Sequence, residues 1–164
     1  MIKDRIKELR RVKASDLIAN PKNWREHPDS QRTALQGVLD EVGWADAVLA
    51  RETKKGLVLI DGHLRKEIDD DAEIPVLVLD VTEEEANLIL ASHDPLSSMA
   101  ISNDSMLQEL IAEIDSNNVH VNDLLESLTS LPLPPDADGK EFDEMCVDDV
   151  IYIQCPECGH EFPK

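Results

Sequence analysis

The segment with the clearest potential for chemistry is residues 61–65, Asp-Gly-His-Leu-Arg, which directly follows an apolar run at 57–60. We interpret the run as a buried strand and the residues after Gly62 as the start of a short helix. The first backbone N–H groups of a helix lack internal partners and lie at the positive end of its dipole, so they can hold a phosphate. Gly62 lets a ligand approach the backbone, and Arg65 offers paired donors to phosphate oxygens. The sequence therefore predicts a phosphate-binding site at residues 62–65.

Two residues of this segment have alternative roles. Arg65 could pair with a carboxylate such as Asp61 or Asp69 and simply stabilise the turn. His63 could act as a general base, contact a ligand or cap the backbone, since its ordinary pKa suits proton transfer near neutral pH. Asp61 and His63 are therefore the candidate catalytic residues.

A second group of polar side chains lies in the segment 20–25, Asn-Pro-Lys-Asn-Trp-Arg. Asn-Pro breaks regular structure and favours a turn. In one interpretation the asparagines cap their own loop and Trp24 covers the core. In the other, two residues of the turn face a ligand. The predicted phosphate- or nucleotide-binding residues are then Asn23, Arg25, Gly62, His63 and Arg65.

A nuclease or triphosphatase would also need activated water, usually held by a metal ion between clustered carboxylates. The acidic run at 69–71 is expected to be a solvated face, because consecutive residues on a short turn cannot all converge on one ion. Asp61 and Asp80 each lie at the end of a predicted strand, so they are the better candidates for such a site.

A metal site of a different kind is predicted in the segment 155–160, Cys-Pro-Glu-Cys-Gly-His. Two thiolates in a Cys-x-x-Cys pattern can bind one tetrahedral zinc ion, and a closed site needs four ligands. Cys146 and His160 could join Cys155 and Cys158 within one chain. Alternatively, two chains of a homodimer could each supply two thiolates. The remaining alternative is a tail without metal.

Hydrophobic periodicity predicts the elements that must position these residues. Apolar runs predict strands at 48–51, 57–60 and 74–80, with a hairpin-like turn at 54–56 and the last strand inside a sheet. Apolar stripes predict helices at 30–42, 83–93, 105–116 and 121–128. Residues 1–13 have helix-like spacing, although 9–12 fit a strand equally well.

Capping residues set the expected ends of these helices. The third predicted helix is expected to place Ala86, Ile89 and Leu90 inward, and residues 96–100 to form a turn or a short helical segment. The expected caps and breaks, in chain order, are Asp29 or Ser30, Gly43, a capping box of Thr82 and Glu85, a helix end at Asp94-Pro95, and Asp104.

The composition bounds the class of protein. The chain has 164 residues, 35 of them acidic and 16 basic, and a formal net charge of −19. Such a charge repels nucleic acid at long range, so nonspecific duplex binding by the whole surface is not expected. Residues 1–32 differ, with nine Lys/Arg against five Asp/Glu. This part is either a solvated basic face or the side on which an anion binds.

The sequence shows no signal-peptide pattern and no apolar run long enough to span a bilayer. Three cysteines, two of them in a Cys-x-x-Cys pattern, favour a reducing compartment over a disulfide framework. We therefore expect a cytoplasmic protein with no membrane partner.

Taken in order, these features resemble the ParB-like nuclease family of the ParB/sulfiredoxin superfamily. The resemblance covers roughly residues 8–100 and rests on the segments 20–25, 61–65, 74–80 and 82–86. The stretch at 94–100, Asp-Pro-Leu-Ser-Ser-Met-Ala, is similar to stand-alone members carried by phages and mobile elements. The resemblance implies an α/β (α+β) fold with a small mixed sheet and flanking helices. Here a helical C-terminal extension and a short Cys-x-x-Cys tail follow it.

The resemblance also implies that the turn at 62–65 binds the phosphates of a nucleotide, such as a nucleoside triphosphate. Partition proteins carry two arginines at this turn, whereas this chain has Leu64 followed by Arg65. Their second signature, Glu-Asn-x-x-Arg, has no match near residues 92–94. Sulfiredoxins carry a catalytic Cys directly after the turn glycine; because His63 occupies that place, sulfinic-acid reductase activity is excluded.

Three functional hypotheses follow. The first is a nucleotide- or phosphate-binding accessory protein in phage or mobile-element DNA metabolism, in the cytoplasm of a bacterial host. The second is a nuclease or nucleoside triphosphatase that uses the same pocket. The third is an acidic adaptor that recruits a DNA-modifying or DNA-packaging protein, such as a methylase or terminase. The expected division is a ParB-like domain at 1–100, a helical extension at 101–130, an acidic Pro-rich linker at 131–149 and a zinc-knuckle-like tail at 150–164.

Overall fold

The computed structural model describes the backbone of residues 2–130, the side chains of residues 2–129, and the backbone of two later strands, Tyr152–Gln154 and Glu161–Pro163. The chain divides into two compact units, Met1–Ser130 and Leu131–Lys164. Both candidate anion-binding segments lie in the first unit. The finer division into four parts stays a prediction.

A four-stranded mixed sheet forms the centre of the first unit. Its strands are β1 (Ile6–Lys13), β2 (Val48–Thr53), β3 (Gly56–Asp61) and β4 (Glu73–Leu79), in the order β1-β4-β2-β3. β2 and β4 are parallel, and the other two pairs are antiparallel. The expected hairpin between β2 and β3 and the interior position of β4 are thus confirmed.

The N-terminal segment forms a strand, so its helix-like spacing was misleading and the strand alternative for residues 9–12 is correct. Val12 pairs with Ile74 of β4 and packs against the core. Burial alternates along β1, with Glu8, Arg10 and Val12 less exposed than the residues between them. This period of two is that of a strand with one face toward the protein.

The described residues of the first unit form five helices: α1 (Asp29–Val42), α2 (His63–Lys66), α3 (Glu83–Ser98), α4 (Asp104–Ala112) and α5 (Val119–Ser130). A 3-10 turn at Ala14–Asp16 follows β1. α1 ends as expected at Gly43, whose φ is +80° and whose N–H donates to the Leu39 carbonyl. Its N-cap, however, is Pro28, which offers no side-chain hydrogen bond, so the expected capping by Asp29 or Ser30 was wrong.

α3 begins with the expected capping box between Thr82 and Glu85 but does not end at Asp94-Pro95. It continues to Ser98, and Pro95 lies inside it. A proline here removes one helical hydrogen bond near a solvent-exposed end, where the cost is small enough for the last turn to persist. Asp94 therefore belongs to a helix rather than to a loop. The next helix is capped by Asn103, one residue before the expected Asp104.

The apolar core lies on both faces of the sheet. On one face, Ala14 and Leu17 join the buried side chains of the strands in one cluster. The other is covered by α3, whose residues Ala86, Ile89 and Leu90 point inward as expected. The largest fully buried side chains are Val48, Leu59, Ile60, Ile74, Val76 and Val78.

α5 packs against α1 at a point where α1 has a glycine. A Cβ added to Gly37 would lie 2.8 Å from side-chain atoms of Asn118 and Val121. Val121 is buried, and Asn118 caps the start of α5 through hydrogen bonds from the backbone of His120 and Val121. The helical extension thus packs into the first unit through α5.

In the second unit, β5 (Tyr152–Gln154) and β6 (Glu161–Pro163) form an antiparallel pair, with residue 153 opposite residue 162. Among the described residues, no helix has the length and apolar character required to cross a lipid bilayer.

Candidate functional site

A cavity of about 710 Å³ opens beside the junction between β3 and α2. Its walls come from the 20–27 loop, the junction itself, one side of α1, the end of α3 and one side of α5. Six residues proposed from the sequence all line it: Asn23, Arg25, Asp61, Gly62, His63 and Arg65. The fold therefore brings two segments that lie about 40 residues apart in the sequence to one site.

Gly62 is required at the junction for a reason other than the one expected. Its φ is +91°, and an added Cβ would lie 2.4 Å from Cγ1 of Val48 on the neighbouring strand β2. The missing side chain thus makes room for the sheet, not for a ligand. The glycine places the chain where it can turn out of β3 directly into α2.

α2 is a short helix that begins at His63, as expected, and its four residues form only one turn. A single turn sums few peptide dipoles, so the macrodipole contributes little to anion binding. The turn can still offer backbone donors to an anion. The N–H groups of residues 63–65 lack helical partners, since the first intrahelical hydrogen bond is donated by Lys66 to the Gly62 carbonyl. Any anion held here would depend on these amides and on nearby cationic side chains.

His63 is buried, with 6% of its surface exposed. Its Nε2 accepts a hydrogen bond of 3.2 Å from the backbone N–H of Asn20. Burial lowers the pKa of His63, although the nearby carboxylates of Asp61 and Glu67 oppose that effect. The neutral ring of His63, which accepts at Nε2, holds the 20–25 turn against the junction. His63 is therefore a positioning residue.

The 20–25 turn is built largely by its own asparagines. Asn20 donates to the Leu59 carbonyl and accepts from the N–H of Lys22. Asn23 makes long hydrogen bonds of 3.4–3.5 Å to the backbone of Arg25. It therefore caps its own loop, as one interpretation of the sequence expected, and it also lines the cavity. Trp24 is 58% exposed and does not cover the core, which corrects that part of the alternative.

Both arginines of the site are paired with carboxylates. Arg65 contacts Asp46 and, at 3.5 Å, Asp61, as the alternative reading of the turn proposed. Asp69 is not its partner and instead accepts from the backbone N–H of Asp71. The Arg25 guanidinium pairs with Asp94 and lies 4.9 Å from the centre of the Trp24 ring.

Asp61 lies close to two residues of α3 that could share a metal ion with it. One ligand atom from each of Asp61, His93 and Asp94 lies within 4.8 Å of the others. Asp80 is not part of this group. Because β3 and β4 run in opposite directions on either side of β2, Asp61 at the end of β3 and Asp80 after β4 lie toward opposite ends of the sheet. The two candidate aspartates therefore do not share one site.

Several lining residues were not singled out from the sequence. The four histidines of the described residues all line this cavity, and α5 adds an aspartate to its wall. His27 precedes Pro28 and Asp94 precedes Pro95, and both pairs were interpreted as helix boundaries and not as parts of a site. The side chains missed in this way are His27, His93, Asp94, His120 and Asp123.

The predicted zinc ligands lie outside the described residues. Cys146, Cys155, Cys158 and His160 belong to the second unit, where only the backbones of β5 and β6 on either side of residues 155–160 are described. Zinc binding by the tail stays a prediction.

The fold is similar to that of a solved chromosome-partitioning protein. The C-terminally truncated ParB from Caulobacter crescentus, complexed with CTP-gamma-S, superposes with a TM-score of 0.52 and 17% sequence identity. The fold is ParB-like. The similarity covers 64% of this chain and 60% of that one. No protein-family model and no curated protein sequence matches the chain. At 17% sequence identity, this comparison shows the fold alone.

Proposed function

We propose that the ParB-like unit binds a nucleotide, or a nucleic-acid phosphate, with the anion at the Gly62–Arg65 turn. The observation that carries this proposal is the convergence of Arg25, Arg65 and the first backbone amides of α2 on one cavity. The similarity to a structure that holds a CTP analogue supports it.

The cavity has the two kinds of wall that a nucleotide requires. At the junction, backbone amides and guanidinium N–H groups can donate to phosphate oxygens, and each guanidinium has donors beyond those used in its ion pairs. Apolar side chains that could contact a nucleoside also line the cavity, namely Leu35, Val38, Ile60, Leu90 and Leu124. The volume of about 710 Å³ is within the range of small-molecule sites.

His63 and Asn20 have a supporting role in this proposal. Their hydrogen bond fixes the loop that carries Arg25 relative to the turn that carries Arg65. Because the ring nitrogen is already an acceptor, His63 acts as a positioning residue and not as a general base.

We further propose, on the resemblance to stand-alone phage and mobile-element proteins, that the chain is an accessory or regulatory factor in DNA metabolism. The competing functions are a hydrolytic enzyme and an adaptor with an unused pocket. One experiment separates them from the accessory factor, because the three functions differ in ligand binding and in turnover.

Calorimetric titration of the four ribonucleoside triphosphates, pyrophosphate and a short DNA into the full chain tests the proposal. The Arg65→Gln variant should bind at least about tenfold more weakly, because it loses charge-assisted hydrogen bonds. Arg11→Gln, on the exposed strand β1, removes the same charge elsewhere and should leave binding unchanged.

The same samples are then assayed for released phosphate and cleaved DNA. Binding without turnover supports the accessory function, and turnover that depends on Arg65 supports the enzyme. Absence of binding by the unaltered protein would contradict the proposal and favour the adaptor.

A further inference from the structure

The charged side chains that line the cavity do not favour an anion by themselves. Two guanidiniums, Arg25 and Arg65, face three carboxylates, Asp61, Asp94 and Asp123. Two of these carboxylates already pair with the two arginines. The whole chain is also strongly acidic, with a formal net charge of −19. A further source of positive charge in the cavity would therefore strengthen the binding of a phosphate.

The geometry of Asp61, His93 and Asp94 offers such a source. Asp61 ends β3, whereas His93 and Asp94 lie on α3, so two separate elements bring the three side chains together. Their ligand atoms lie within 4.8 Å of one another. Ligands at about 2.0–2.2 Å from a common ion lie at most about 4.4 Å apart, so only a small movement of these side chains is needed for them to share one ion.

The three side chains are also accessible from the cavity. Asp61 and Asp94 are 25% and 31% exposed, and His93 is 52% exposed. Because the protein supplies only three ligands, further coordination positions would remain for water or for an incoming oxygen ligand. The imidazole nitrogen distinguishes the group from a cluster of acids and favours a transition metal over magnesium or calcium.

We propose that Asp61, His93 and Asp94 bind a divalent transition-metal cation, such as Mn²⁺, on the wall of the cavity. The cation competes with Arg25 for Asp94 and with Arg65 for Asp61. When it binds, Arg25 loses its pairing with Asp94 and Arg65 keeps only Asp46, so both guanidiniums have more donors available to an anion. Cation and phosphate thus bind cooperatively, and this second half of the inference rests on the proposed function.

Mn²⁺ titration of the full chain, followed by electron paramagnetic resonance without any nucleotide, tests the first half. Mn²⁺ is chosen because thiolates such as those of the C-terminal tail prefer softer metals. Asp61→Asn and His93→Gln should each weaken binding at least about tenfold, as expected when a metal loses support from its site. Asp123→Asn is the matched control, because it removes a carboxylate from the same cavity outside the group, and it should leave Mn²⁺ affinity unchanged.

Arg25→Gln gives a prediction of the opposite sign. Because it removes the competitor for Asp94, this variant should bind Mn²⁺ severalfold more tightly than the unaltered protein. No Mn²⁺ binding by the unaltered chain, unchanged affinity in Asp61→Asn or His93→Gln, or equal weakening in Asp123→Asn would overturn the site.

Pyrophosphate titration with and without Mn²⁺ tests the second half. Tighter pyrophosphate binding in the presence of Mn²⁺ supports the coupling, and equal binding overturns it. If pyrophosphate binds in neither condition, the proposed function fails, whereas the Mn²⁺ measurement still decides the cation site.

Discussion

The environment of Gly62 leaves no room for a side chain. Its positive φ is unfavourable for a side chain, and the space that a Cβ would occupy is taken by Val48, which is fully buried in a central strand. Neither the backbone of β2 nor the side chain of Val48 can move away without disturbing the core.

Gly62→Ala should therefore lower the free energy of unfolding by about 3 kcal/mol, from backbone strain together with overpacking. Gly43→Ala is the matched control, since Gly43 also has a positive φ but no atom lies within 4 Å of its added Cβ. The control should cost about 1–2 kcal/mol, from strain alone. Urea denaturation measures both, and equal losses would show that Val48 does not restrict this position.

The buried side chain of His63 should make the free energy of unfolding depend on pH. Because burial lowers its pKa in the folded state, the unfolded chain takes up a proton first as the pH falls. The free energy of unfolding should then decrease as the pH falls below about 6.5, the ordinary value for histidine. The decrease continues until the pH reaches the lowered pKa of the folded state.

His63→Gln keeps a hydrogen-bond acceptor but cannot be protonated. The variant should be less stable than the unaltered protein at pH 8 and should lose less additional stability between pH 8 and pH 5.5. Denaturation midpoints across this range give the comparison. A slope as steep as that of the unaltered protein would mean that the protonation of His63 is not coupled to folding.

At the scale of elements, α5 matters because it forms one wall of the cavity while it packs on α1. The contact depends on Gly37, where α1 leaves room for Asn118 and Val121. A large side chain at this position should separate the two helices while leaving the sheet intact.

Gly37→Leu should increase the hydrogen-exchange rates of α5 amides by about tenfold or more, because overpacking destabilises the contact. Exchange in β4 should stay unchanged. Asp40→Ala, on the exposed surface of α1, is the control and should preserve the protection of α5. Unchanged exchange of α5 in Gly37→Leu would show that α5 is held by other contacts.

The elements differ in how well the sequence predicts them, for physical reasons. β2, β3 and β4 follow from continuous apolar runs, and α1 from its apolar stripe and Gly43. β1 was ambiguous because its apolar residues also fit helical spacing, and only pairing with β4 decides between the two. α3 passes through Pro95 because one lost hydrogen bond is tolerable near a helix end.

The site was predictable in part for similar reasons. The 20–25 and 61–65 segments combine turn residues with donors, which is a local signal. The proximity of Asp61 to His93 and Asp94 depends on how α3 lies across the sheet. The pairing of Arg65 with Asp46 likewise depends on tertiary structure, so neither contact has a signature in the sequence.

At the scale of the whole molecule, the C-terminal unit carries a prediction of its own. Purified full chain should contain stoichiometric zinc, and Cys155→Ser should lose it, because a Cys-x-x-Cys pair is needed to complete a tetrahedral site. Metal analysis measures this directly. One zinc ion per chain indicates ligands within the chain, and one per two chains indicates a shared site. Absence of zinc from the unaltered protein would contradict the prediction.

Binding of an anion at the junction between β3 and α2 is the central claim, and amide NMR tests it most directly. Pyrophosphate is added to ¹⁵N-labelled protein. The largest chemical-shift changes should occur at the amides of residues 62–65, with smaller ones at Asn23 and Arg25 and none at the hairpin residue Gly56. Changes spread along the basic residues of β1, or no change at residues 62–65, would contradict the account.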